Sequence, residues 1–361
     1  MKQCLISERE LLFLVATFII GTSIMLVPPA VASEAKQDAW LALLLGMLLS
    51  LLIANILISL QKKFPKQSLV EYSSIVLGFP IGQFISGIFL VFALQLSVFI
   101  LRNIGDFVHA LILPQTPLVA IQAIIMIIAV YAVRNGLEVF ARVIIFMMLP
   151  SLLFFLFISI ITLPYAEFSR LLPFMENGYK PVIRGAITAA SFPFGEIIIF
   201  SMILPKINSF KPSGKGLLYG ILIGFLFLEL GIIRTISILG VESSIRHIYP
   251  VIEAVEEAPV SNMLVIILTL NWFAFAFAKL TICLYVLTTG VSQWLNINNP
   301  KILLMPFGVL ITALSVYIYS NYIEEIYFAS KINPYYKIPI GIGIPLFLWL
   351  VAKIRSSQVK S

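Results

Sequence analysis

The chain has 361 residues, of which 60% are hydrophobic and only 11% charged, with a formal net charge of +7. A soluble domain carries roughly 45–50% apolar and about 25% charged residues, so this composition excludes a water-soluble globule and makes lipid the solvent for most of the surface. A transmembrane barrel would show alternating segments of about ten residues. The apolar runs here are unbroken and about twenty long, the length that crosses a bilayer as a helix.

In chain order the predicted spans are Leu11 to Val31, Ala39 to Leu60, Ile81 to Leu101, Pro117 to Val133, Val139 to Leu163, Ile183 to Leu204, Gly216 to Gly240, Val260 to Val291, Ile302 to Ser320 and Ile338 to Ala352. The expected class is thus an all-α integral membrane protein with about ten transmembrane helices, read as one membrane domain over residues 1–361. With the N-terminus inside, the inner segments hold Lys2, Arg9, Lys62, Lys63, Lys66, Arg134, Arg142, Lys206, Lys211, Lys215, Lys301, Lys353, Arg355 and Lys360. The outer loops hold fewer: Lys36, Arg102, Arg170, Lys180, Arg184, Arg246, Lys331 and Lys337. Positive residues favour the cytoplasmic side, so both termini are expected there, and the positive net charge needs no nucleic-acid partner.

Three features recur in the two halves of the chain. The first span carries Gly21-Thr22-Ser23 in its middle and Pro28-Pro29 near its end; the sixth carries Ser191-Phe192-Pro193-Phe194-Gly195-Glu196 and then Pro205. Gly/Pro interruptions at matching places point to discontinuous helices and a mid-membrane binding site. The second span has Ala42, Gly46, Ser50 and Ala54 and the seventh Gly216, Gly220 and Gly224, faces that let helices approach closely; these read as packing. Phe64-Pro65 followed by Val70-Glu71, and Tyr249-Pro250 followed by Val255-Glu256, suggest a short helix in each half with proline near its first turn. Together they predict a five-plus-five inverted repeat, approximately 8–165 and 180–355, with helices one and six discontinuous.

Chemistry of the covalent kind has no visible apparatus. Cys4 and Cys283 cannot form a disulfide framework, and with His109 and His247 they make no zinc motif. No phosphate loop, dinucleotide fingerprint or nucleophile elbow is present, so neither an enzyme nor a cofactor or metal is expected.

Gly21, Thr22 and Ser23 would present backbone N–H groups at the start of a half-helix, where a ligand carboxylate is favoured; the plainer reading is a kink or a packing glycine. Ser191, Phe192, Pro193, Phe194 and Gly195 would offer unwound carbonyls to an amino group, with the two phenylalanines closing over the ligand. Ionisable residues inside spans are functional candidates. Glu196, Glu229 and Lys279 lie deep enough to meet, as an ion pair that replaces a bound cation or relays a proton, or as a structural pair that fixes helix packing. Arg234 is nearer its helix end and is expected to snorkel; five residues from Glu229, it faces about 140° away on a helical wheel. Arg102, Asn103, Asp106 and His109 read as a solvated helix end or, as the alternative, an entry vestibule, while Asn271, Thr281 and Thr288 are candidates to hydrogen-bond a ligand or another helix.

Ile20-Gly21-Thr22 with Pro28, then Gln37-Asp38-Ala39-Trp40, Phe64-Pro65 with Glu71-Tyr72, and Pro193-Phe194-Gly195-Glu196 occur in an order and spacing that resemble the spore germination permease family, the B subunits of nutrient germinant receptors. That family is similar in turn to the amino acid–polyamine–organocation transporter superfamily, in which the fold is a five-plus-five inverted repeat. Ser23 stands where those transporters commonly have a second glycine. The resemblance implies a sensor in the inner membrane of the bacterial spore that binds a germinant, often an amino acid, and acts with a larger membrane A subunit and a C subunit lipoprotein. A proton-coupled amino acid transporter, with Lys279, Glu196 or Glu229 in the relay, and a scaffold with a vestigial site are the other readings.

Overall fold

The computed structural model describes residues 6–208, 214–258, 262–319, 324, 328 and 332–358. Lys2, Cys4, Lys211, Lys331 and Lys360, and the expected span ends at Val260 and Ser320, lie outside the described residues. Within them regular structure is helical, apart from one parallel bridge between Ile6 and Ile207. Among the described residues eight helical stretches are long and apolar enough to cross a membrane, and Leu118–Arg134 is a shorter apolar helix.

The first predicted span is two helices, α1 (Glu8–Ile20) and α2 (Ser23–Ala35), followed by α3 (Ala39–Lys63). The short α4 (Leu69–Leu77) starts with a reciprocal cap, in which Ser68 Oγ accepts from Glu71 N and the Glu71 carboxylate accepts from Ser68 N. Pro65 therefore precedes the cap and is not in the first turn, in contrast to Pro250, which opens α11 (Pro250–Glu256). Next come α5 (Phe79–Leu111), α6 (Leu118–Arg134) and α7 (Leu137–Thr162). The predicted third span ends ten residues early: Arg102 is buried, not solvated, because its guanidinium bonds Asp106 at 2.6 Å and donates to the carbonyls of Ser315 at 3.2 Å and Val316 at 3.0 Å.

The sixth span consists of α8 (Tyr179–Ser191) and a 3-10 segment, Phe194–Met202. After it come α9 (Lys215–Leu239), the short α10 (Val241–Arg246) and α11, then α12 (Asn262–Trp294) and α13 (Leu304–Tyr317). The last span begins five residues before its predicted start, as α14 (Asn333–Ile338), a π turn (Pro339–Gly343) and α15 (Ile344–Gln358).

The small-residue stripes pack the broken helices. A Cβ on Gly220 would lie 2.6 Å from Val15 Cβ, and one on Gly224 would lie 2.7 Å from Ile19 Cβ, so α1 rests in a glycine groove of α9. In the other half, a Cβ on Gly46 would lie 2.7 Å from Ala189 Cβ and one on Gly185 2.9 Å from Ala42 Cβ, so α3 and α8 meet as closely. Each stripe thus holds the broken helix of the other half of the sequence. The α1 start is tied down as well. Ile6 N donates to Lys206 O at 2.9 Å, and the Glu8 carboxylate accepts from Gly214 N at 3.1 Å and Gly216 N at 2.8 Å, at the N-terminus of α9. Gln37 and Asp38 anchor a distant loop: Gln37 Nε2 donates to Pro173 O and Glu176 Oε2, and Asp38 Oδ1 accepts from Met175 N. Large apolar side chains such as Phe146 and Ile160 on α7, Ile127 on α6 and Val309 on α13 remain exposed on the outside of the bundle, where lipid covers them.

Candidate functional site

Both helix breaks have local causes. α1 closes with Gly21 N donating to Thr17 O at 2.8 Å. A Cβ on Gly21 would lie 2.6 Å from Lys279 Cδ and 3.0 Å from Phe18 O, so glycine is required because the Lys279 stem passes against the backbone there. α2 then starts with Thr22 at its cap, which makes no side-chain capping bond, and carries Pro28 and Pro29 inside. These prolines lack the N–H groups that would bond Ile24 O and Met25 O. In α8, Phe192 N still reaches Thr188 O at 3.0 Å, but Phe192 is extended, the conformation favoured before proline, so the α-helix stops there. The chain resumes as a 3-10 helix, with Glu196 N donating to Pro193 O at 3.1 Å. Ser50 Oγ donates to Phe194 O at 3.2 Å, so one member of the α3 stripe does more than pack: it satisfies a carbonyl beside the break. An edge-to-face contact of Phe18 with Phe200, 5.3 Å between centroids, joins α1 to the 3-10 segment.

Three charged side chains converge between the breaks. Lys279 Nζ lies 2.7 Å from Glu196 Oε2, and Lys337 Nζ lies 2.8 Å from Glu196 Oε1. They come from α12, α14 and the 3-10 segment, and none is more than 3% exposed. Aromatic faces complete the surroundings. Lys279 Nζ is 4.7 Å from the Phe18 centroid and 4.8 Å from that of Phe192, and Lys337 Nζ is 5.1 Å from the same Phe192 ring. Phe192 therefore faces two ammonium groups. Lys337 is positioned by the π turn that follows it, where a Cβ on Gly341 would run into the Gly195 carbonyl.

A cavity of about 340 Å³ opens on this cluster, within the range of small-molecule sites. Of the predicted site residues, Thr22, Ser191, Phe192, Glu196 and Lys279 line it; Gly21, Ser23, Pro193, Phe194 and Gly195 do not. The hydroxyl of Ser23 is buried without a hydrogen-bond partner among the described residues. The cavity runs along one face of α2 from Thr22 to Ser33, about 16 Å by helical rise, and its far end includes Glu34, Arg246 and His247.

Around the site the structure departs from the sequence expectation at four further places. Glu229 does not line the cavity and is not brought to Lys279; its Oε2 is buried without a hydrogen-bond partner among the described residues. Arg234 does not snorkel. It is 6% exposed, its three guanidinium nitrogens have no hydrogen-bond partner among the described residues, and it lies over the Phe155 ring at 5.1 Å. Thr281 and Thr288 bond to carbonyls of their own helix and, among the described residues, reach neither the cavity nor another helix, whereas Asn271 does bond another helix, as one of its two expected roles had it, accepting from Ser151 Oγ of α7 at 2.7 Å. Lys337, placed in a loop by the sequence reading, is the second cation of the cluster. The available signal was its place four residues after Asn333 in a run that continues apolar to Ala352, which makes it an intramembrane charge if the span starts earlier.

A family model described as "Spore germination protein" matches residues 5–323. Spore germination protein KB of Bacillus subtilis (strain 168) is 28% identical over 359 residues, covering 98% of this chain and 95% of that protein. Spore germination protein YndE of the same organism is 24% identical over 363 residues, covering 98% of each. Among solved structures, a Na+-coupled sialic acid symporter in its substrate-bound outward-open state superposes with a TM-score of 0.70 at 10% identity, over 95% of this chain and 78% of the symporter. MhsT in complex with L-phenylalanine superposes at 0.65 and 14% identity, over 97% and 99%. At such identities the likeness shows the fold alone: a multi-pass helical membrane protein with a transporter architecture. Sequence match and fold agree, and the chain belongs to the spore germination protein family.

Proposed function

We propose that this chain is the germinant-sensing membrane subunit of a spore nutrient receptor. It binds a small nutrient, an amino acid in the first instance, between the two helix breaks. It acts in the inner membrane of the spore, with both termini cytoplasmic, together with a larger membrane A subunit and a C subunit lipoprotein. The observation that carries the reading is the cavity walled by Thr22 on one break and Ser191 and Phe192 on the other, in a chain of this family. A ligand held there contacts two discontinuous helices at once. It shifts their equilibrium by as much as its affinity differs between the two arrangements, and the partner subunits read that shift.

The test uses spores in which Gly21→Ala replaces the native chain. The new Cβ displaces the Lys279 stem from the cavity wall. The nutrient concentration for half-maximal germination should rise about tenfold, equivalent to roughly 1.4 kcal/mol, with receptor levels on immunoblots unchanged. An unmoved response curve at equal protein level would remove the cavity from the mechanism.

A second reading, a proton-coupled amino acid transporter, is favoured by the buried lysine–carboxylate cluster in the cavity wall, the kind of group that relays protons across membranes. Paired binding and uptake of radiolabelled amino acids in sealed liposomes separates the two. Saturable binding without accumulation supports the sensor, and accumulation that disappears with the proton gradient supports the transporter.

A further inference from the structure

The cluster is unbalanced. Two ammonium groups share one carboxylate, and the three side chains are 0%, 3% and 1% exposed for Lys279, Lys337 and Glu196. An ammonium has three donors and no acceptor, and each here contacts one oxygen of Glu196. Aromatic rings also face both ammonium groups, beside the polar Thr22, Ser191 and Asn333 of the same cavity wall. Phe18 and Phe192 lie under Lys279, and Phe192 and Phe99 under Lys337, and ring faces take up positive charge but accept no strong hydrogen bond. The other carboxylate in the cavity wall, Glu34, lies twelve residues along α2 from Thr22, about 18 Å by helical rise, and is 3.7 Å from Arg184. Among the described residues, the end of the cavity at Glu196 therefore has spare N–H donors and one excess positive charge, both costly away from water unless something supplies acceptors and a negative charge.

We propose that the cavity takes a small carboxylate, whose oxygens dock on Lys337 and Lys279 beside Glu196, and that Glu196 sets the affinity by competing for the same ammonium groups. The inference rests on the reading of the cavity as a ligand site, and it moves the carboxylate contact from the backbone amides at Gly21 to Ser23 onto the lysines. The Gly21 amide is already bonded to Thr17 O, and Gly21 and Ser23 do not line the cavity. The ligand class that results is an amino acid or another small acid, with sugars and nucleosides disfavoured.

The test is thermal unfolding of the full-length protein purified in detergent. The probes are L-alanine, L-valine, L-asparagine and L-phenylalanine, their primary amides, glucose and inosine, at matched concentrations. A ligand that binds the folded state raises Tm. The expected result is that at least one acid raises Tm and its amide does not, that Lys337→Gln removes the effect and Lys337→Arg retains it, and that Glu196→Gln strengthens apparent affinity for that acid about tenfold. A cluster that served only packing would lose the effect in every variant. Should Glu196→Gln not fold, Glu196→Asp, which withdraws the competing carboxylate by one methylene, carries the same expectation. An amide that stabilises as well as its acid, a panel in which no acid stabilises, or a folded Glu196 variant with weakened acid binding would each overturn the proposal. Stabilisation by glucose or inosine alone would overturn it and leave the sensor reading intact. Unaltered germination of spores lacking the chain would remove the sensor reading and leave the carboxylate site in place.

Discussion

Charge is buried in two regions of this molecule, and they handle it differently. In the cluster at the cavity, Glu196, Lys279 and Lys337 come from three elements far apart in sequence, and each lysine lies within 2.8 Å of a Glu196 oxygen. On α9, Glu229 and Arg234 are five residues apart, face different sides and do not meet; Arg234 has a phenyl ring for company and Glu229 Oε2 has no hydrogen-bond partner among the described residues. Closeness in sequence on one helix gives partners only at spacings of three or four, whereas the fold brings together residues 141 positions apart. The difference separates a charge group that the tertiary structure assembles around a cavity from two ionisable residues, Arg234 buried and Glu229 partly buried, that it does not bring together.

The largest effect that would sharpen this contrast is expected at Glu196. Glu196→Gln leaves two buried ammonium groups without a counter-charge and should lower the stability of the unliganded protein by roughly 3–5 kcal/mol, read as a fall in Tm. Lys279→Met leaves a balanced Glu196–Lys337 pair and should cost clearly less; equal losses would mean that the three charges are not one unit. Gly341→Ala comes next. It places a methyl group against the Gly195 backbone, contact that no side-chain rotation relieves, and should cost about 2 kcal/mol while also loosening the helix that carries Lys337. Ser50→Ala removes the bond to Phe194 O and should cost about 1 kcal/mol, measured by the same unfolding. The smallest change is predicted at Arg234. Replacing a buried guanidinium that has no hydrogen-bond partner among the described residues with methionine relieves its desolvation, so Arg234→Met should leave Tm unchanged or raise it. A large loss there would show that Arg234 is held by a counter-charge and would erase the contrast between the regions.

The breaks in the first and sixth spans were legible because their causes are local. Pro193 limits the residue before it to an extended conformation, and Gly21 and the Pro28-Pro29 pair mark a helix that cannot run on unchanged. The pairing of Lys279 with a carboxylate was legible in part, since an intramembrane lysine needs a partner, but the choice between Glu196 and Glu229 was not. Both are acidic residues in apolar runs, and only the packing of α12 against the 3-10 segment distinguishes them. Lys337 escaped because a lysine at the edge of an apolar run ordinarily snorkels to water; a helix that starts at Asn333 and a π turn at Pro339–Gly343 bring it inside instead. The stripes of small residues announced close helix contacts without naming the partners, which turned out to be crossed between the two halves of the chain.

By itself the sequence determined the solvent, the helical class and the positions of the breaks, because composition, run length and the backbone limits of glycine and proline act within a few residues of where they are written. Only the tertiary structure decided which charges meet, which are left alone, and that two ammonium groups face one carboxylate at the cavity wall. Those outcomes depend on distances between residues that the chain places one helix or more apart, and Coulomb energy and desolvation respond to those distances, not to separation along the chain.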